Sequence, residues 1–112
     1  MILHQLTNLG LTEKEARLYL ASIRTGAASM LTLSRKAKID RGTAYHVALT
    51  MGDKGLFEQI PTEGKPLYRA THPSCLYRYI QDQYETARQR MDSVKAIEAD
   101  LNELFEATSP EG

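Results

Sequence analysis

Few side chains in this 112-residue sequence are spaced for chemistry. His72 and Cys75 stand at a zinc-like spacing, but a closed tetrahedral site needs further Cys or His ligands, and His4 and His46 fall in unrelated stretches. As a nucleophile, Cys75 would need a base and an electropositive pocket, and no motif supplies them. No glycine-rich loop is built to cradle phosphate, and the carboxylates from Pro73 onwards read as solvated helix faces rather than acid–base pairs. These patterns suggest no catalytic residues, no metal site and no cofactor, so the chain does not read as an enzyme.

The stretch organised for recognition is Ser34–Leu56, SRKAKIDRGTAYHVALTMGDKGL. Ile39 is an apolar residue suited to plug the gap between two helices, and Asp40 is placed to accept hydrogen bonds from the free N–H groups of the next helical turn. The helix expected from Arg41 to Lys54, stopped by Gly55, turns Ala44, Val47 or Ala48, and Met51 inward. Its outward residues are then Arg41, Gly42, Thr43, His46 and Thr50. That face is small and polar and carries no carboxylate before Asp53, so it can lie in a major groove without repelling phosphates.

The flanking elements follow from periodicity and capping chemistry. Ile2, Leu3, Leu6 and Leu9 fit one face of a short helix broken by Gly10. Thr12-Glu13-Lys14-Glu15 reads as a capping box opening a helix that buries Ala16, Tyr19, Leu20 and Ile23 and stops near Gly26. Ser29 caps a shorter helix to about Ala37, with Met30, Leu33 and Ala37 inward. Arg35, Lys36 and Lys38 gather at its end, where they serve either the helix dipole or a phosphate. Gly55–Ile60 and Pro66–Ala70, joined by Pro61-Thr62-Glu63-Gly64-Lys65, read as a β-hairpin. Lys65 at its tip and Arg69 on its returning strand are candidates for phosphate contact.

From Ser74 to Ala107 neither Gly nor Pro interrupts a helical pattern, which at 1.5 Å per residue would extend about 50 Å. Ile80, Tyr84, Ala87, Met91, Val94, Ile97, Leu101 and Leu104 recur on one side. An apolar stripe this long must be covered, and a coiled coil with a second copy of the chain would cover it. Steps of three from Met91 to Val94 and on to Ile97 depart from a strict heptad, and residues beyond Thr108 should fray.

Lys+Arg and Asp+Glu both total 14, but their distribution is uneven. Residues up to His72 hold ten cations against six acids, and those from Pro73 hold four against eight. A basic head on an acidic arm suits a polyanion partner that touches only the head. One cysteine excludes an internal disulfide, and the chain shows neither a secretory signal nor about 18 consecutive apolar residues. A cytoplasmic protein with no membrane partner is expected.

Leu9-Gly-Leu-Thr-Glu-Lys-Glu-Ala-Arg-Leu-Tyr-Leu-Ala21, Ile39-Asp-Arg-Gly-Thr-Ala-Tyr45, Lys54-Gly-Leu-Phe-Glu58 and Tyr68-Arg-Ala-Thr-His-Pro73 together resemble the N-terminal region of the TrmB-like prokaryotic transcription regulators. The resemblance covers about Leu3 to Leu76. It implies a dimeric regulator of double-stranded DNA whose recognition helix contacts DNA through Arg41, Thr43 and His46, with Tyr45 steadying that helix against the wing. The chain departs from the family pattern at Asp40, where members often have Pro, and at Gly42, Ala44 and Ala48, where they have larger side chains. Longer members continue into a sugar-binding domain, whereas this sequence ends at Gly112, so the resemblance implies no ligand for these residues.

The combined expectation is a mainly α protein with a small β-hairpin. A winged helix-turn-helix over residues 1–72 precedes a dimerisation helix over residues 73–112. The DNA-binding residues would be Lys38, Arg41, Gly42, Thr43, His46, Lys65 and Arg69, and the rival reading is a winged helix that docks proteins instead.

Overall fold

A computed structural model of the chain describes residues 2–108 and 110. Of the terminal residues expected to fray, Ser109, Glu111 and Gly112 lie outside the described residues. Seven elements follow in order: α1 (Ile2–Asn8), α2 (Glu13–Thr25), α3 (Met30–Ala37), α4 (Arg41–Asp53), β1 (Phe57–Ile60), β2 (Leu67–Ala70) and α5 (Ser74–Ala107). The chain divides into two compact units, one ending at Tyr79 and the other beginning at Ile80.

Local chemistry sets most helix ends. The Thr12 hydroxyl accepts from the Glu15 N–H at 3.1 Å while the Glu15 Oε1 accepts from the Thr12 N–H at 2.9 Å, completing the capping box of α2. Ser29 caps α3 through the Thr32 N–H at 3.2 Å, and Asp40 caps α4 through the Thr43 N–H at 3.2 Å. Gly10 and Gly55 adopt φ of 101° and 74°, closing the segments before them in a region that favours glycine.

The first unit packs α2, α3 and α4 around Leu18, Met30, Leu33, Met51 and Leu56, all essentially removed from water. Each such side chain contributes roughly 1.5–3 kcal/mol of burial. Ala44, Val47, Ala48 and Met51 form the inward stripe of α4, and Met30, Leu33 and Ala37 that of α3. Two expectations change in α2. Leu20 is only half-buried and Ile23 is 45% exposed, because the side that meets α3, α4 and β2 is centred on Glu15, Leu18, Tyr19 and Ser22. In and after α1, Leu6 is buried and Leu3 partly so, whereas Ile2 and Leu9 are exposed.

The strands pair antiparallel in the register Phe57↔Ala70 to Ile60↔Leu67. A further bridge was not legible in the sequence: Ala28 and Tyr68 exchange both backbone hydrogen bonds, at 3.1 and 2.8 Å. The Ala70 N–H also donates to the buried Ser22 Oγ at 2.7 Å, so the hairpin is tied to α2 and the turn after it. Cys75, Leu76 and Tyr79 at the start of α5 pack partly buried against the same core.

An ion pair joins α2 to the residue that follows α4. Glu15 is 3% exposed, and its Oε2 lies 2.9 Å from Lys54 Nζ and accepts from the Thr50 hydroxyl at 3.3 Å. Thr50, expected to face outward, is therefore turned toward α2. Burial pushes the Glu15 carboxyl up, but the bonds from Thr12, Lys54 and Thr50 outweigh it, so the group titrates below its ordinary 4.5. A depressed carboxylate pKa stabilises the fold above the unfolded value and loses that contribution as pH falls through the folded value. Thermal melts of the wild type should therefore lose stability below about pH 4.5 more steeply than melts of Glu15→Gln, with Glu15→Gln less stable at pH 7 by about 2 kcal/mol.

Candidate nucleic-acid interface

Building the outward side of α4 starts at the turn before it. Lys38 takes φ 58° and ψ 45°, and its N–H and that of Ile39 close on the carbonyls of Arg35 and Ser34. The half-buried Ile39 packs against the core, filling the angle between α3 and α4 as its apolar character demands. Asp40 then starts α4, and its carboxylate accepts from the Thr43 N–H at 3.2 Å.

Arg41, Gly42, Tyr45, His46 and Leu49 are exposed along α4, and Thr43 is half-buried. Leu49, 66% exposed, belongs to this face although sequence reasoning passed over it; its position three residues after His46 was the available signal. A Cβ added at Gly42 would stand 3.2 Å from Asp40 Oδ2, the end of an exposed side chain, with no other heavy atom within 4 Å beyond the adjoining residues and the backbone of its own helix. Tyr45 meets Tyr68 edge to face, with ring centroids 5.9 Å apart, and so links α4 to the hairpin.

The hairpin loop is ordered by its own polar groups. Thr62 Oγ1 donates to the Lys65 carbonyl at 2.6 Å and accepts from the Gly64 N–H at 3.2 Å, leaving the Lys65 side chain exposed. Arg69 instead meets Glu58, its cross-strand partner, at 3.2 Å. The structure thus groups Lys38, Arg41, Gly42, Thr43 and His46 on one turn and helix, and sets Lys65 and Arg69 on the hairpin, with Arg69 already half-satisfied.

The cluster of Arg35, Lys36 and Lys38 extends further than the sequence suggested, because Arg17 and Arg24 of α2 join it. Arg17, Arg24, Arg35, Lys36 and Lys38 line a groove of about 730 Å³ floored by Leu3, Leu20, Ala21 and Ala37. The seven-residue interval between Arg17 and Arg24, two turns along one face of α2, was the signal that could have revealed it.

A helix-turn-helix followed by a hairpin braced on its recognition helix is the winged-helix arrangement of transcription regulators. The family model described as sugar-specific transcriptional regulator TrmB matches residues 6–74, and the chain belongs to that family. No curated protein matches the chain. Among solved structures, it is similar to TrmBL2, an archaeal chromatin protein described as showing a novel mode of DNA binding, with TM-score 0.80 and 25% identity over 94% of this chain. The match spans 41% of that protein's length. A possible transcriptional regulator from Methanosarcina mazei Go1 matches with TM-score 0.60 and 17% identity over 90% of this chain and 82% of the other. A MarR-family regulator from Silicibacter pomeroyi matches with TM-score 0.56 and 18% identity over 97% and 81%. The last two share the fold. The family is one of transcriptional regulators rather than enzymes, and among the described residues no helix is long and apolar enough to cross a membrane.

The left-handed backbone at Lys38 separates folding from recognition at one residue. Lys38→Gly should raise the unfolding free energy by about 1 kcal/mol, read as a higher thermal midpoint, because glycine adopts this conformation without the Cβ penalty. Lys38→Ala should give no such gain.

Proposed function

We propose that the chain is a homodimeric, sequence-specific DNA-binding transcription regulator that reads the major groove with α4. The observation that carries this reading is the exposed, carboxylate-free run of Arg41, Gly42, Tyr45, His46 and Leu49 on a helix whose opposite side is locked into the core. Arg41 and His46 offer hydrogen bonds to base edges, Thr43 one more from its half-buried position, and Leu49 an apolar surface for thymine methyls. Lys38 and Lys65 supply phosphate contacts from either side of the helix, with Arg69 available to the extent that Glu58 releases it. The homodimer rests on α5, where Tyr84, Met91, Val94, Ile97, Leu101 and Leu104 are all between 49% and 66% exposed in the single chain. Residues 1–72 act as the DNA-binding domain and residues 73–112 as the dimerisation arm.

The test begins with selection of bound duplexes from a random pool, followed by fluorescence anisotropy against the selected site across a salt series. Tight binding that weakens steeply with salt is expected; no preference over a scrambled duplex at low salt would overturn the reading. Arg41→Ala should weaken the selected site by 1–3 kcal/mol, about 5- to 150-fold, with a smaller loss on scrambled DNA.

Gly42→Ala gives an independent reading of how closely the backbone approaches DNA. The Asp40 Oδ2 that must give way by a few tenths of an ångström also caps α4, so a gain in helix propensity of up to about 1 kcal/mol is offset by a weakened cap and the thermal midpoint should change little. Affinity for the selected site should nevertheless fall, and unchanged affinity would place the DNA farther from this turn.

A further inference from the structure

The apolar stripe of α5 has a register of its own. With Ile80 taken as a d position, Tyr84 is a, Ala87 d, Met91 a, Val94 d, Leu101 d and Phe105 a, in alternating steps of four and three. The a position between Val94 and Leu101 is Glu98, with Ile97 just before it. Tyr84, Met91, Leu101 and Phe105 are 66, 61, 52 and 79% exposed. Charge along the helix is polarised. Its cations Arg78, Arg88, Arg90 and Lys95 come first, interleaved with Asp82, Glu85 and Asp92, and Glu98, Asp100, Glu103 and Glu106 follow with no cation among them.

That arrangement distinguishes the two ways in which α5 can meet a second copy. Parallel helices in register face a with a and d with d, which would set Glu98 against its own copy inside the seam. Two like charges withdrawn from water are costly, and the one cation within a turn, Lys95, sits at the edge of the seam, where the parallel order sets it against Arg90 of the second copy. Reversing one helix instead sets a against d. With the two-fold axis between Asp92 and Ser93, Met91 meets Val94 of the second copy, Tyr84 meets Leu101, and Ile80 meets Phe105. Glu98 then falls opposite Ala87, the smallest side chain of the stripe, with Arg88 and Arg90 beside it. In the single chain Arg88 makes only an exposed 3.8 Å pair with Glu85, which leaves it free to exchange partners. Lys95 approaches a cation in either order, Arg88 in the antiparallel and Arg90 in the parallel, so that repulsion does not discriminate.

We propose that α5 pairs antiparallel with α5 of a second copy of this chain, Tyr84 against Leu101, with Glu98 seated over Ala87 between Arg88 and Arg90. The inference rests on the homodimer proposed above and adds its direction and register. Glu98 thereby selects the pairing order, as a single polar residue in a coiled-coil seam can.

Full-length chains carrying Cys75→Ser, to remove the native thiol, are given either Tyr84→Cys or Leu101→Cys and oxidised alone or as an equimolar mixture. Both introduced thiols replace exposed residues, and far-UV circular dichroism checks that the helices persist. In the antiparallel register the two positions meet across the pair, while identical positions stand about 25 Å apart along the helix. Disulfide-linked dimers are therefore expected in the mixture, with mass spectrometry showing one of each chain, and neither variant should cross-link alone. Disulfides within each separate variant would overturn the antiparallel order while leaving the homodimer intact. Absence of any cross-link with a dimeric mass by light scattering would overturn the register, and a monomeric mass would overturn the homodimer itself.

Discussion

The carboxylate of Glu15 is the interaction on which the first unit depends. One oxygen closes the capping box on the Thr12 N–H and the other meets Lys54, with the Thr50 hydroxyl added. The start of α2 and the end of α4, nearly forty residues apart in sequence, are thus held by one buried charge. Taking such a charge out of water costs several kcal/mol unless it is paired and hydrogen-bonded, so displacements that open this corner are resisted. Lys54 also lies over the Tyr79 ring at 5.7 Å, which adds the first turns of α5 to the same centre.

Consequences for recognition run along α4. Its last two turns are committed to α2 through Thr50 and Lys54 and to the core through Val47, Ala48 and Met51, so its first two turns are held from behind and remain free in front. The hairpin is braced independently, by Ser22 and Ala28 on one side and by the Tyr45–Tyr68 contact on the other. A reading face that is sparse in side chains is compatible with specific binding when backbone and cations around it are placed this firmly, because little conformational entropy remains to be lost on association. In the proposed function, Gly42 is then an opening for close approach rather than a missing contact.

The second unit obeys a different constraint. From Gln81 to Thr108 every residue of α5 and its end is exposed in the single chain, so nothing within these described residues offsets the exposure of its apolar stripe. Helices of this kind gain most of their stability from packing rather than from propensity. In the antiparallel pairing proposed above, the irregular step from Val94 to Ile97 acquires a meaning: the heptad continues beneath it, with an acid in the core position.

Periodicity and capping chemistry alone determined the element order, the ends of α2, α3 and α4, the inward residues of α3 and α4, and the hairpin, because each depends on residues within a few positions of one another. Tyr45 beside the wing was implied by the family resemblance and is found there. Long-range partnerships were not legible. Glu15 announced its bond to Thr12 but not those to Thr50 and Lys54, and no local pattern marks Ala28 as a strand partner. Nor does a helical wheel tell which of two adjacent apolar faces of α2 will be covered, so Ile23 was misplaced. Tertiary structure decided these, since a buried face is defined by what packs on it: α3, α4 and β2 meet the Leu18 and Ser22 side of α2, and Ile23 is left to solvent.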